Sequence, residues 1–525
     1  MRTDEFQATR QAEMGEIISG ARRLGTAALE ARAARAASGL SSLGVGPGDL
    51  VALYLRNDLA FFEASFAAGL LGAYPTPVNW HSAPDEARYV FENSGAKAIV
   101  IHADLVGPIR QALPPGVPVL AVATPPEIAS AYGIAPAAPP LDMPHWERWL
   151  EGFEPYAGPP AAAPGTIIYT SGTTGNPKGV RRRPPTPEQA AVSGRIIARE
   201  FGFADYLGDP SSIVTVVTGP MYHSAPNAYG LVGARLGAKV ILQPRFDPQG
   251  LLELIETHRV THIHMVPIMF NRLLKLPAAV RERYDLSSLK FVVHAAAPCP
   301  APIKRAMIDW WGPVINEYYG ATETGIVVAC NSQEWLAHEG TVGRPIPEAE
   351  VKVIDARGNA LPPGQIGEVV AASRVIADFT YHGDDAKRLA SRKAGLIAPG
   401  DVGYFDADGF LYLCDRAKDM IISGGANIYP AEIEAELGRM PGVGDCAVFG
   451  IPDEEFGEAV HAVVQPLPGA ALTERDVKDH LRAHIAGYKV PRRVDFAADL
   501  PREDSGKIFK RKLRDPFWAG LDRRI

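Results

Sequence analysis

Cysteine is scarce in this sequence. Cys299, Cys330, Cys414 and Cys446 are its only four in 525 residues, with no C-x-x-C pair. That spacing supports no zinc ribbon and no thioredoxin-like motif, and the thiols read as reduced, structural groups of a cytosolic protein. The opening stretch, MRTDEFQATRQAE, is charged and has no apolar centre of the kind a signal peptide needs. Long hydrophobic runs are missing too: AFFEASFAAGLLGAY contains a glutamate and is too short to span a bilayer. The final LDRRI is not a peroxisomal address. Cytoplasm is therefore the expected compartment. Positive charge is also in deficit, the net value being −7, which argues against general nucleic-acid binding. No G-x-S-x-G elbow occurs, so a serine hydrolase of that type is not supported.

What is present is an ordinary globular composition, 46% hydrophobic and 22% charged. The length exceeds the roughly 250–300 residues one core usually holds, so at least two domains are expected. From about residue 49 strand-like and helix-like segments alternate: DLVALYL, AFFEASFAAGLL, PTPVN, DEARYVFEN, AKAIVIH. A second block follows with SSIVTVVT, AKVILQ, PQGLLELIETH, THIHMVP, LKFVVHAA and APIKRAMIDWW. Such alternation predicts layered α/β structure with largely parallel sheets. The Pro- and Ala-rich residues 124–165 are expected to carry the crossing between the blocks. The last hundred residues change character, with GDCAVFGIP and EAVHAVVQP as short strands. LTERDVKDHLRAHI is an amphipathic helix with Val477, Leu481 and Ile485 on one stripe. This predicts a small α+β domain beginning near Asp415–Asp419.

Four stretches could carry chemistry. The first, TIIYTSGTTGNPKGVRRRP (166–184), resembles a phosphate-gripping loop yet fails the Walker pattern, because Gly179 follows Lys178. Gly172, Gly175 and Gly179 let backbone N–H groups converge on an anion, while Thr170, Ser171, Thr173 and Thr174 add hydroxyls and Lys178 a charge. Strand-like residues on both sides predict a strand-loop-strand unit; a flexible Ser/Thr/Gly surface loop is the plain alternative. In EYYGATETG (317–325), Thr322 and Glu323 follow a strand end, where a glutamate could hold a divalent cation or simply face water. APGDVGYFDADGFLYLCDR (398–416) brings Asp401 and Arg416 on two strand-like runs joined by a DADG turn. PREDSGKIFKRKLRD (501–515) presents Lys507 from a tight turn ahead of a solvated charge run. His258, His262 and His264 have a spacing that invites a metal, with His262 and His264 on one face of a strand, but no cysteine lies nearby to complete a site.

TSGTTGNPKG, YYGATETG, GDVGYFDADGFLYLCDRAKDMIISGGANIYPAEIE and PREDSGKIFKRKL, in that order, resemble the adenylate-forming superfamily over nearly the whole chain. That superfamily contains acyl-CoA synthetases, peptide-synthetase adenylation domains and beetle luciferases. The resemblance implies a large multi-subdomain N-terminal adenylation domain, residues 1–415, and a small mobile C-terminal domain, 416–525. It implies an ATP-dependent acid:CoA ligase, with Mg2+ and with coenzyme A as co-substrate. The 170–175 loop and Lys178 would hold the ATP phosphates, Thr322 and Glu323 phosphate and magnesium. Ala296, Ala297 and Pro298, with Tyr318, Tyr319 and Gly320, match the adenine wall, while Asp401 and Arg416 match the ribose side. Lys507 matches the lysine that serves adenylation, Lys418 the hinge, and Gly424 and Gly425 the thiol tunnel.

This sequence departs from the family in three places. His294, Ala295 and Ala296 replace the usual glycines. Arg181, Arg182 and Arg183 follow the loop, and Ala-Pro-Gly precedes Asp401. The arginines could meet phosphate at the ATP or CoA end, or form a solvated basic edge. Near His223 no aspartate stands ready for a substrate amine, which disfavours an amino acid. Met221, Tyr222 and His223, with His294 and Ala295, suggest a roomy apolar acyl pocket. The expected substrate is a hydrophobic acid, medium- or long-chain fatty or bulky and ring-bearing. An aryl-propenoate of the coumarate type, or transfer to a separate carrier protein, are the alternatives. Oligomeric state is open, a homodimer included.

Overall fold

A computed structural model describes residues 15–159, 161–170, 177–416, 419–502 and 508–519. They group into two compact units. One runs to Met265 and adds Leu276–His294 and Arg374–Ala390; the other holds Val266–Lys275, Ala295–Ser373 and the chain from Ser391.

The first unit carries two parallel sheets, as the α/β alternation predicts. In one, Tyr74–Pro77, Leu50–Tyr54, Ala98–His102 and Val119–Val122 pair side by side, all parallel. Every residue of Leu50–Tyr54 is buried, as expected for a strand covered on both faces. The other sheet orders Phe291–His294, His262–Met265, Val214–Val217, Lys239–Leu242 and Glu16–Ser19 in parallel, then turns back through Arg22–Gly25. Its Glu16–Ser19 strand and the helix Thr26–Ser42 precede the region where the alternation becomes legible. Residues 124–165, expected to be a crossing, also fold into the helices Pro126–Tyr132 and Trp146–Glu151. The glutamate within AFFEASFAAGLLGAY is accounted for: Glu63 is buried, accepting from Arg32 Nε at 2.6 Å and from Trp146 Nε1 at 2.6 Å.

The second unit is mainly antiparallel. Ile315–Ala321 and Gly325–Cys330 form one hairpin. Ala349–Ile354, Gly367–Ser373, Asp401–Phe405 and Leu411–Arg416 build a separate sheet. Toward the C-terminus, Val443–Asp453 and Gly457–Pro466 pair as a hairpin of 11- and 10-residue strands, longer than their sequence suggests. Helices Pro430–Leu437 and Glu474–His484 close its core, with Ile433, Leu437, Val477 and Leu481 all fully buried. Ile485 is only partly buried against them. Each such side chain contributes about 1.5–3 kcal/mol by leaving water. The predicted α+β character of this region therefore holds.

Candidate active site

Both strands of the strand-loop-strand prediction are present, one on each side of residues 171–176. Ile168–Thr170 pairs antiparallel with Lys178–Arg182, with Thr170 opposite Lys178. The Thr170 hydroxyl donates to the Lys178 carbonyl at 3.5 Å, and Lys178 Nζ lies 5.0 Å from the centre of the Tyr381 ring. Gly179 packs closely: a Cβ there would stand 3.0 Å from the Ile167 and Tyr169 side chains, which would have to give way. Ser171, Gly172, Thr173, Thr174 and Gly175 lie outside the described residues, as do Lys418 and Lys507.

Two hairpins of the second unit meet at Asp401. Asp401 is cross-strand partner to Arg416, whose Nε stands 2.8 Å from Asp401 Oδ1. The other oxygen, Oδ2, accepts from the Tyr319 hydroxyl at 2.6 Å. Asp401 is buried and Arg416 exposed, so a shielded carboxylate sits beside a cation that reaches solvent. Burial, reinforced by the Asp401 charge, raises the Tyr319 phenol well above its ordinary range and keeps it a donor. Between these strands the DADG turn is the hairpin its composition predicts: Asp406 Oδ1 accepts from the Asp408 and Phe410 amides, and Gly409 has φ 82°.

Tyr318 and Tyr319 are neighbours on one strand, so their side chains take opposite faces. Tyr318 is buried while Tyr319 turns to Asp401. Gly320 sits at a bulge where an added Cβ would fall 2.0 Å from the Gly325 carbonyl oxygen. Thr322 and Glu323, both half-buried, occupy the turn of this hairpin, which is tied by the Thr324 hydroxyl accepting from the Ala321 amide at 3.0 Å. Beneath the strand, Lys304 and Glu317 form a buried ion pair. Neither residue stood out in the sequence, and no local pattern could have marked them.

The family model "AMP-binding enzyme" matches residues 5–378, and "AMP-binding enzyme C-terminal domain" matches 432–507. The chain belongs to the adenylate-forming, AMP-binding enzymes, in their acid:CoA ligase branch. Among its relatives is a feruloyl-CoA synthase of an Amycolatopsis species, 34% identical, with 97% of this chain and 98% of the relative covered. Another is the fatty acid–[acyl-carrier-protein] ligase ScoC of Streptomyces coeruleorubidus, 30% identical over 100% of this chain and 98% of the relative. The solved structure of the amide bond synthetase McbA from Marinactinospora thermotolerans superposes with TM-score 0.81 at 26% identity, covering 97% and 98% of the two chains.

The departures from the family pattern in this ligase have structural readings. Ala296 adopts φ 75°, the left-handed region that favours glycine, two residues past the end of the strand Phe291–His294. It is exposed, as are Ala297 and Pro298. His294 and Ala295 are buried. Arg181 donates to the Gly48 carbonyl at 3.1 Å and lies 4.8 Å over Tyr74. Arg182 donates to the Ala377 carbonyl at 2.8 Å. These two arginines therefore tie the loop's exit strand into the fold, and the exposed Arg183 extends beyond them.

The segment 219–223 is held from both sides by amides. Asn57 donates to the Gly219 carbonyl at 2.9 Å and accepts from the Met221 amide at 2.8 Å. Asn227 donates to the Met221 carbonyl at 3.0 Å. Met221 and Tyr222 are buried, and half-buried His223 starts the helix Ser224–Leu236. Gly424 and Gly425, at φ 56° and 81°, form the turn between Ile421–Ser423 and Ala426–Ile428.

Of the three histidines with metal-like spacing, His262 and His264 are core residues. His262 contacts Thr261 Oγ1 at 2.8 Å and the Gly202 carbonyl at 2.9 Å. Burial lowers both pKa values to about 4. Among the described residues no helix is long and apolar enough to cross a membrane.

Proposed function

We propose that this ligase activates a hydrophobic carboxylic acid with ATP and passes the acyl group to coenzyme A. The observation that carries the reading is the Tyr319–Asp401–Arg416 constellation within a chain whose residues 5–378 and 432–507 match the family models. A carboxylate accepts from hydroxyls, so Asp401 suits the ribose diol, with Arg416 beside it. Tyr318, Tyr319, Gly320 and the 296–298 segment form the adenine wall. The 170–175 loop and Lys178 hold the phosphates.

In the first step a substrate carboxylate oxygen attacks the α-phosphorus, the bond to the bridging oxygen breaks, and pyrophosphate leaves. Two anions meet there, so preorganised positive charge lowers the barrier. Lys507 supplies it from the C-terminal domain. Thr322 and Glu323 offer hard oxygen donors on one tight turn, a donor set that fits Mg2+; when bound, that ion neutralises phosphate charge. In the second step the thiolate of coenzyme A attacks the acyl carbonyl and AMP leaves. One chain runs both steps if the domain 416–525 turns about Lys418 against 1–415, with Gly424 and Gly425 lining the thiol path.

Buried Met221 and Tyr222, with His223, His294 and Ala295, favour an apolar acyl group. A medium- or long-chain fatty acid or a bulky ring-bearing acid fits this wall. The second reading, an aryl-propenoate, is favoured by the 34% identity to a feruloyl-CoA synthase. Transfer to a carrier protein is favoured by the likeness to ScoC. The cytoplasm supplies ATP and coenzyme A together and is the proposed compartment.

The deciding experiment is pyrophosphate release with ATP and Mg2+ across a panel of carboxylic acids, with and without coenzyme A. Release dependent on one acid class, turning over only with coenzyme A, supports the ligase. A single-equivalent burst that coenzyme A leaves unchanged points to a protein carrier. No release with any acid counts against the proposal.

A further inference from the structure

We propose that Glu436, His480 and His484 form a binding site for a divalent first-row transition ion of the Zn2+ type. His480 and His484 are one turn apart on the helix Glu474–His484, hence on one face, with ring centroids 4.5 Å apart. Glu436 comes from the last turn of a second helix, Pro430–Leu437. His480 Nε2 stands 3.1 Å from Glu436 Oε1, and His484 Nδ1 stands 3.7 Å from the same oxygen. One donor atom from each residue lies within 4.8 Å of the other two. Ligands placed tetrahedrally around Zn2+ at about 2.1 Å are about 3.4 Å apart, so the observed spacings bracket that geometry.

The surroundings favour a metal over a chance cluster. Glu436 is buried, and its second oxygen, Oε2, accepts from Arg439 at 3.0 Å, which fixes the carboxylate with Oε1 toward the histidines. His484 is half-exposed, leaving room for a water as fourth ligand. Its Nδ1 hydrogen bond to the His480 carbonyl, 2.7 Å, is the tie that ligation through Nδ1 replaces. Two imidazoles and one carboxylate select Zn2+, Ni2+ or Cu2+ over Mg2+ or Ca2+. An ion there would cross-link the two helices that close the C-terminal core through Ile433, Leu437, Val477 and Leu481. The site would thus add stability to that region, whatever acid the enzyme uses.

The test is calorimetric titration of the untagged, metal-free full chain with ZnCl2, paired with thermal unfolding. One saturable site in the micromolar range is expected, unaffected by excess MgCl2, with a raised unfolding temperature. His484→Gln and Glu436→Gln should each weaken binding by more than about tenfold and abolish that rise. His484 lies outside the buried stripe of its helix, so His484→Gln should fold and keep full pyrophosphate-release activity. Absence of saturable Zn2+ binding, or wild-type affinity in both variants, would overturn the proposal.

Discussion

Tyr319 donates its hydroxyl to Asp401 at 2.6 Å, joining two hairpins through residues 82 positions apart in the sequence. If this pair shapes the nucleotide site, Tyr319→Phe should raise KM for ATP and lower kcat/KM by about ten- to a hundredfold, the worth of one hydrogen bond to a charged group. Steady-state kinetics with varied ATP read this directly. An unchanged KM in both Tyr319→Phe and Asp401→Asn would separate the pair from nucleotide binding.

Lys507 distinguishes the two half-reactions. Lys507→Ala should slow adenylation by about 10²–10³, as for loss of a charge-stabilising donor. Thioester formation from supplied acyl-adenylate should survive. Equal loss in both steps would make Lys507 a structural residue.

Lys304 and Glu317 are both buried and paired beneath the strand that presents Tyr319. Removing one charge alone strands the other, so Lys304→Met should destabilise by about 3–5 kcal/mol. Lys304→Met combined with Glu317→Leu should recover most of that loss in urea denaturation. A double variant no more stable than the single one would refute the pairing argument.

His262 and His264 set a pH dependence. Burial lowers their pKa values to about 4 in the fold, against about 6.5 in an unfolded chain. Between those values the unfolded state binds more protons. Stability is therefore whole above about pH 6.5 and falls with acidification toward pH 4, by about 1 kcal/mol per pH unit for each histidine. Denaturant midpoints between about pH 7 and about pH 5 should show this slope, and His264→Gln should make it shallower.

Ala296 holds a left-handed backbone with φ 75° at an exposed position. Ala296→Gly should relieve that conformation and stabilise the protein by up to about 1 kcal/mol, net of the glycine's greater unfolded freedom. A lower denaturation midpoint would show that the alanine methyl makes a compensating contact.

Sequence patterning revealed what depends on neighbours along the chain. The helices Pro248–His258 and Ala301–Trp311 coincide with the predicted segments, because their periodicity and breakers are local. The loop's flanking strands were legible for the same reason. Tyr319–Asp401, Lys304–Glu317 and the Asn57 clamp were not, since each joins groups that only folding brings together. The strand Glu16–Ser19 escaped notice because four residues carry too little periodicity to distinguish strand from coil. The Val443–Asp453 and Gly457–Pro466 strands extend past GDCAVFGIP and EAVHAVVQP by a single residue at Val443, Asp453 and Gly457, because cross-strand pairing carries a ladder beyond its local pattern.

Asn57 and Asn227 grip residues 219–223 through main-chain atoms of Gly219 and Met221. A segment anchored by its backbone keeps its course when its side chains change. His223, half-buried at the start of the helix Ser224–Leu236, is a side chain carried by that fixed frame. Altering it should retune which acid is accepted while the backbone keeps its course, which makes this position the natural place to diversify when redirecting the enzyme to new carboxylates.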